Sequence, residues 1–173
     1  GAWADEVARF SGARPIGITP LQRTVVQLRT DQPTDITDPI IVDLALNFYF
    51  KAVGQDRLWL SPHDEIPVPP GDAAPEELDV AIAIDRFEHV VDWRIAAVER
   101  KWAGLRSFAP DRLPIYGFDV RVPNFFWFAG QGGFGIQTAP AAARLAAALV
   151  TGSSPDAAVA HIDGSAYAPA RFG

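Results

Sequence analysis

The residues with the clearest capacity for chemistry lie late in the chain, where Gly130-Gln131-Gly132-Gly133-Phe134-Gly135-Ile136-Gln137-Thr138 precedes an alanine-rich run. Glycine lets backbone approach a ligand closely, and the free N–H groups at the start of a following helix favour negative charge or the polar edge of a cofactor. A tight strand-to-helix connection would use the same residues, so both readings stay open on composition. Other candidates are poorer. His63-Asp64-Glu65 carries metal-capable side chains, but neighbours on a proline-rich loop rarely converge on one ion, so a solvated loop is expected there. His89 and His161 are paired by no useful spacing, and Ser107 lacks the Gly-x-Ser-x-Gly elbow of a hydrolase nucleophile. Asp111 and Asp119 read as turn and strand-end residues rather than as a paired acid and base.

The elements that must position these residues follow from periodicity. Pro15 to Thr30 is strand-like, and Asp31 to Pro39 breaks into turn residues. In Ile41 to Lys51, Leu44, Leu46, Phe48 and Phe50 alternate with Asp43, Asn47, Tyr49 and Lys51, which predicts a strand with a core face and an accessible face. Tyr49 then falls on the accessible face, where its hydroxyl can reach a carboxylate. Gly54-Gln55-Asp56 is a turn into a second strand over Arg57 to Ser61, giving an antiparallel hairpin. Val80, Ile84, Phe87, Val91, Ile95 and Val98 recur at steps of three and four and predict one long helix over 76–101. Pro75, Glu76 and Glu77 suit its start, and Arg94, Arg100 and Lys101 suit its end. Trp102 to Phe108, Ile115 to Val120 and Phe125 to Ala129 read as short strands. A helix is expected from Ala139 to Val150 with Pro140 in its first turn, and beyond Gly152 no strong pattern remains.

Composition bounds the rest. With 173 residues and 49% hydrophobic content, the chain can bury a substantial core. A net charge of -6 argues against a nucleic-acid partner. The absence of cysteine rules out disulfides and thiolate zinc, so redox chemistry has to come from a cofactor. No apolar run is long enough for a membrane span and no signal peptide is recognisable, so a soluble, cytoplasmic protein is expected. The absence of methionine and the abrupt opening at Gly1-Ala2-Trp3-Ala4-Asp5 fit a fragment or a processed chain.

Several blocks resemble a known family. Gly1-Ala2-Trp3-Ala4-Asp5 is similar to the end of the Ala-Ala-Gly-x-Trp segment of the D-amino-acid oxidase-like superfamily of FAD-dependent oxidoreductases. Trp102-Ala103-Gly104-Leu105-Arg106-Ser107-Phe108, the run Phe125 to Thr138 and the strand ending Phe48-Tyr49-Phe50-Lys51 resemble D-arginine dehydrogenase and its D-amino-acid dehydrogenase relatives, up to about Gly152. The resemblance implies FAD as cofactor, hydride transfer from the substrate α-carbon to the flavin, and an imino-acid product. It implies Arg106 as the clamp on the substrate carboxylate, a task suited to a planar guanidinium; a structural ion pair is the plainer reading of the same residue. It further implies Tyr49, Arg23, Gly133 and Gln137 as substrate contacts, although the Leu21-Gln22-Arg23-Thr24 context departs from the family pattern. Gly1, Trp3, Gly130, Gly132, Gly133, Gly135, Ile136, Gln137 and Thr138 are implied as flavin contacts.

The architecture expected is α+β: an antiparallel substrate-binding sheet backed by a long helix, plus the C-terminal strand and helix of a Rossmann-like FAD-binding domain. Residues 1–12 are assigned to the FAD-binding domain, 13–105 to the substrate-binding domain, 106–152 to the return into the FAD-binding domain and 153–173 to a tail. The family's βαβ unit with its pyrophosphate turn is missing from these residues, so a complementary N-terminal FAD-binding polypeptide is the expected partner. A non-catalytic binding or structural module derived from the same fold is the alternative.

Overall fold

A computed structural model describes residues 1–173 as an α+β protein with antiparallel strand pairs. Its elements are α1 (Ala4–Phe10), β1 (Thr19–Thr30), β2 (Ile41–Val42), β3 (Tyr49–Ala52), β4 (Arg57–Ser61), β5 (Ile66–Pro67), α2 (Glu77–Glu88), β6 (Ile95–Phe108), β7 (Ile115–Phe118), β8 (Phe126–Ala129) and α3 (Gly135–Thr151), followed by 3-10 turns at Gly164–Tyr167 and Pro169–Phe172. The chain forms two compact units. The first comprises Gly1–Leu21, Val68–Pro70 and Arg106–Gly173, and the second Gln22–Pro67 and Gly71–Leu105.

The second unit is built on a sheet in the order β2-β3-β4-β1-β5, with β6 also paired to β1. Val26 faces Leu60 and Leu28 faces Leu58 across β1 and β4, while Phe50 faces Leu60 across β3 and β4. These residues, with Phe48, form one buried face, which α2 covers with Val80, Ala83 and Phe87. The Phe87 ring meets Phe50 edge to face at 5.1 Å, an arrangement that the ring quadrupoles favour.

Two expectations for this unit fail. The long helix ends at Glu88, and Ile95 to Phe108 is a strand. The Val90 and Val91 amides both bond Phe87 O in the closing turn of the helix, and from Ile95 burial alternates with period two, Ile95, Ala97 and Glu99 being half-buried. Glu99 is then held by Gln27 at 2.9 Å and by Arg57 at 2.8 Å. Lys101 does not serve a helix C-terminus; from β6 it pairs with Glu77 at the start of α2. The strand over Ile41 to Lys51 is also broken. Asp43 caps a turn through the Asn47 N–H at 3.1 Å, and Leu46 takes a φ of 59°. Leu44 and Leu46 are therefore exposed, and the alternating pattern describes only Phe48 onward.

In the first unit, β7 and β8 form a two-stranded ribbon, and Ile115, Trp127 and Ala129 pack with Ala8, Ala13, Ile18 and Ala109. Asp119 accepts the Trp127 indole N–H at 3.0 Å and the amides of Arg121 and Val122 at 2.9 Å. Burial opposes ionisation of Asp119, but these donors outweigh it and hold its pKa below the usual carboxylate range. The tail is ordered. Arg171 grips Asp111 with two bonds, of 2.6 and 3.2 Å, and Tyr167 packs on Tyr116 with ring centroids 5.5 Å apart.

The Arg171 guanidinium holds the Asp111 pKa below its ordinary value, with the Leu113 amide assisting against partial burial. A carboxylate with a folded pKa below its unfolded one stabilises fully above about pH 4 and loses that contribution as pH falls through the folded value. In Asp111→Asn, the acid limb of a Tm-against-pH curve is accordingly expected to flatten. A limb as steep as that of the parent protein would show that other carboxylates carry the acid sensitivity.

Candidate functional site

In the first unit, the candidate site is assembled by the end of β6 and the turn that follows β8. Successive residues of a strand point to opposite faces, so Arg106 and Phe108 share a face of β6. The Ser107 carbonyl accepts the Gly132 N–H at 2.9 Å and locks the strand end to the turn. A Cβ on Gly132 would stand 2.3 Å from the Phe108 ring, and one on Gly133 would stand 3.0 Å from Arg106 Nη1. Glycine is thus a packing requirement at Gly132, where the φ of 54° demands it as well. The Arg106 guanidinium lies directly over Gly133, half-buried, beside a stretch of bare backbone.

The turn feeds α3, which begins at Gly135, four residues earlier than the sequence suggests. Gly135, Ile136, Gln137 and Thr138 are therefore its first turn, and Pro140 sits within the helix, where it withholds one N–H from the ladder. The N-cap is Phe134, whose side chain offers no acceptor, and the first turn carries no acid. Thr138 N–H makes the bond to Phe134 O at 3.0 Å, so the amides before it precede the helical ladder. Ile136, Gln137, Gly133 and Phe134 are exposed around this uncapped end. The arrangement fits one flat polar edge of a flavin: side-chain-free backbone, uncommitted amides and apolar side chains beside them.

Gly1 and Trp3 line a cleft of about 320 Å³ with Phe125 to Ala129, alongside the strand that leads into the turn. Trp3 is the N-cap of α1, and the Gly1 carbonyl accepts the Ala4 N–H at 3.1 Å.

In the second unit, Arg23 and Tyr49 come together. The Arg23 guanidinium lies 6.0 Å from the centre of the Tyr49 ring, and His63 meets that ring edge-on at 5.7 Å. Arg23 is only 4% exposed and is held by Glu65 at 3.2 Å and, more loosely, by Asp64 at 3.9 Å. Asp64 also accepts the Thr24 N–H at 2.8 Å and its hydroxyl at 2.8 Å. The expectation of a solvated 63–65 loop is thus corrected. β5 pairs with β1 and draws this loop onto the sheet, where Asp64 becomes a buried acceptor and Glu65 an ion-pair partner. Sequence reasoning missed both as partners of Arg23. A usable signal was the adjacent Asp-Glu pair itself, which immediately precedes β5, the strand that joins β1 and so reaches Arg23.

Comparison with known proteins bears on the same residues. The family model described as FAD dependent oxidoreductase matches residues 1–149. Among solved structures, the chain is similar to L-proline dehydrogenase from P. horikoshii at 23% identity and a TM-score of 0.78, covering 99% of this chain and 45% of that one. It is similar to iminodiacetate oxidase from Chelativorans sp. BNC1 at 18% identity and a TM-score of 0.75, covering 98% and 44%. Glycine oxidase from Geobacillus kaustophilus aligns at 22% identity and a TM-score of 0.72, covering 94% and 43%. The chain spans less than half the length of each of these structures, and at such identities they speak for the fold. With the family model covering most of its length, this chain belongs to the family of FAD-dependent oxidoreductases.

Proposed function

We propose that the chain contributes the substrate-binding part of a flavin enzyme that oxidises an amino acid or related amine, with a D-amino acid as the preferred class. The observation that carries this reading is the placement of Arg106 over Gly133 at the mouth of an uncapped helix. A fixed guanidinium beside bare backbone can grip a carboxylate with two parallel bonds and leave room for the rest of the substrate. The resemblance of the flanking residues to D-amino-acid dehydrogenases gives the stereochemical preference. FAD supplies the hydride acceptor when bound.

This chain's residues position and neutralise. Gly130, Gly132, Gly133 and the first turn of α3, from Gly135 to Thr138, would hold the flavin, with Gly1 and Trp3 contributing from the neighbouring cleft. Arg106 binds the carboxylate; Tyr49, Arg23 and Gln137 are further substrate contacts. The pyrophosphate- and ribose-binding βαβ unit is to be supplied by residues outside these 173, on a longer chain or on a separate polypeptide. Supporting this, the solved structures it matches are more than twice as long.

The test is to assemble the chain with an FAD-binding N-terminal region, confirm the flavin absorbance bands, and assay D-, L- and N-alkylated amino acids with a dye acceptor. Turnover of D-amino acids is expected. A yellow, folded protein that oxidises none of these classes would overturn the reading, and turnover confined to L-amino acids would overturn the D preference. Within the same assay, Gly133→Ala should raise KM about tenfold with Tm unchanged, because the new Cβ displaces Arg106 by a few tenths of an ångström while burying nothing. An unchanged KM would mean that Arg106 adjusts freely and is not held in a fixed pose.

A further inference from the structure

We propose that Arg112 is a positioning residue for Arg106, acting through Phe108 and Gly132. The inference rests on the reading of Arg106 as the carboxylate clamp. Arg112 closes the turn that follows β6, its N–H bonding Ala109 O at 2.9 Å, and it holds a φ of 64°. An arginine in left-handed backbone is strained where glycine would be at ease. What the side chain does there is specific: its guanidinium lies 4.0 Å from the centre of the Phe108 ring, close enough for cation–π attraction.

Phe108 is 5% exposed, and its ring edge occupies the space where a Gly132 side chain would be. Because Arg106 and Phe108 share a face of β6, the ring set against Gly132 and the guanidinium set against Gly133 are consecutive rungs of one ladder, with the Ser107–Gly132 bond between them. Packing on one rung fixes the spacing of the next. Arg112 weights the ring from above, and the ring holds the turn at the distance that Arg106 requires.

The test uses the flavin-loaded enzyme assembled with its FAD-binding region, and propionate and ethylamine as the carboxylate-only and amine-only halves of alanine. Binding is read by titration of the flavin spectrum, and folding by Tm. In Arg112→Gly, propionate affinity should fall about fivefold and ethylamine affinity should not change, with Tm showing that the variant is folded at the assay temperature. Arg112→Lys keeps a cation over the ring and should retain most of the propionate affinity. In the flavin-free protein, hydrogen exchange at the Gly132 amide should quicken in Arg112→Gly but not in Arg112→Lys. Unchanged propionate affinity in Arg112→Gly, alongside a loss in Arg106→Ala, overturns the positioning role and leaves the clamp standing. Equal losses for propionate and ethylamine also overturn it, because general damage to the site would then be the cause. Should Arg106→Ala itself bind propionate normally, the clamp reading fails first.

Discussion

Replacing Arg106 by alanine in the assembled enzyme is expected to lower kcat/KM for amino-acid substrates by about a thousandfold while leaving the protein folded. Removing one partner of a desolvated, hydrogen-bonded charge pair costs roughly 2–5 kcal/mol, much of it the penalty on the charge left behind. A cost of about 4 kcal/mol, in the upper half of that range, gives the thousandfold figure. Folding should survive, because Arg106 is only half-buried and lies against the bare backbone of Gly133. The loss should be selective. An amine without a carboxylate gives Arg106 nothing to bind, so its oxidation should fall severalfold at most, and Arg106→Lys should recover part of the amino-acid rate as a point charge without the paired donors. Steady-state kinetics on an amino acid and its decarboxylated amine settle the matter. Equal losses on both would assign Arg106 to the integrity of the turn.

The parts of this site that sequence made legible are those encoded in short contiguous runs. The strand β8, the glycine turn and α3 follow one another within residues 126–151, and each announces itself by local composition. Local composition places the start of α3 four residues late, because Gly135 is a poor helix former and Pro140 suits a first turn, whereas packing of Ala142 and Leu145 carries the helix backward through both. The 76–101 stripe failed for a different reason. Val91, Ile95 and Val98 satisfy a step of three or four and also lie in a segment rich in β-branched residues, and only the pairing of β6 with β1 decides between them. Leu44 and Leu46 show the converse: alternation without a partner strand along their length, ending in a turn. Arg106 could be named from its flanking residues, but the reason it has space could not. That depends on Gly133, 27 positions later, and on Phe108 filling the place beside it.

Arg23 makes the same point more sharply, and the second large effect is expected at its partner. Asp64→Ala should lower Tm by roughly 10 °C or more, from a loss of about 3–5 kcal/mol. The Asp64 side chain is 6% exposed and serves three donors at once: the Thr24 amide, the Thr24 hydroxyl and, at longer range, the Arg23 guanidinium. Thr24 is fully buried, so truncation leaves its polar groups without their acceptor and removes one of the carboxylates that balance a buried cation. Asp64→Asn separates the two contributions. Its amide oxygen can still accept from Thr24 but carries no charge, so it should recover the hydrogen-bond share and not the ion-pair share. If Asp64→Asn unfolds as late as the parent protein, the charge contributes nothing and Glu65 alone suffices for Arg23. If it unfolds as early as Asp64→Ala, the buried cation dominates.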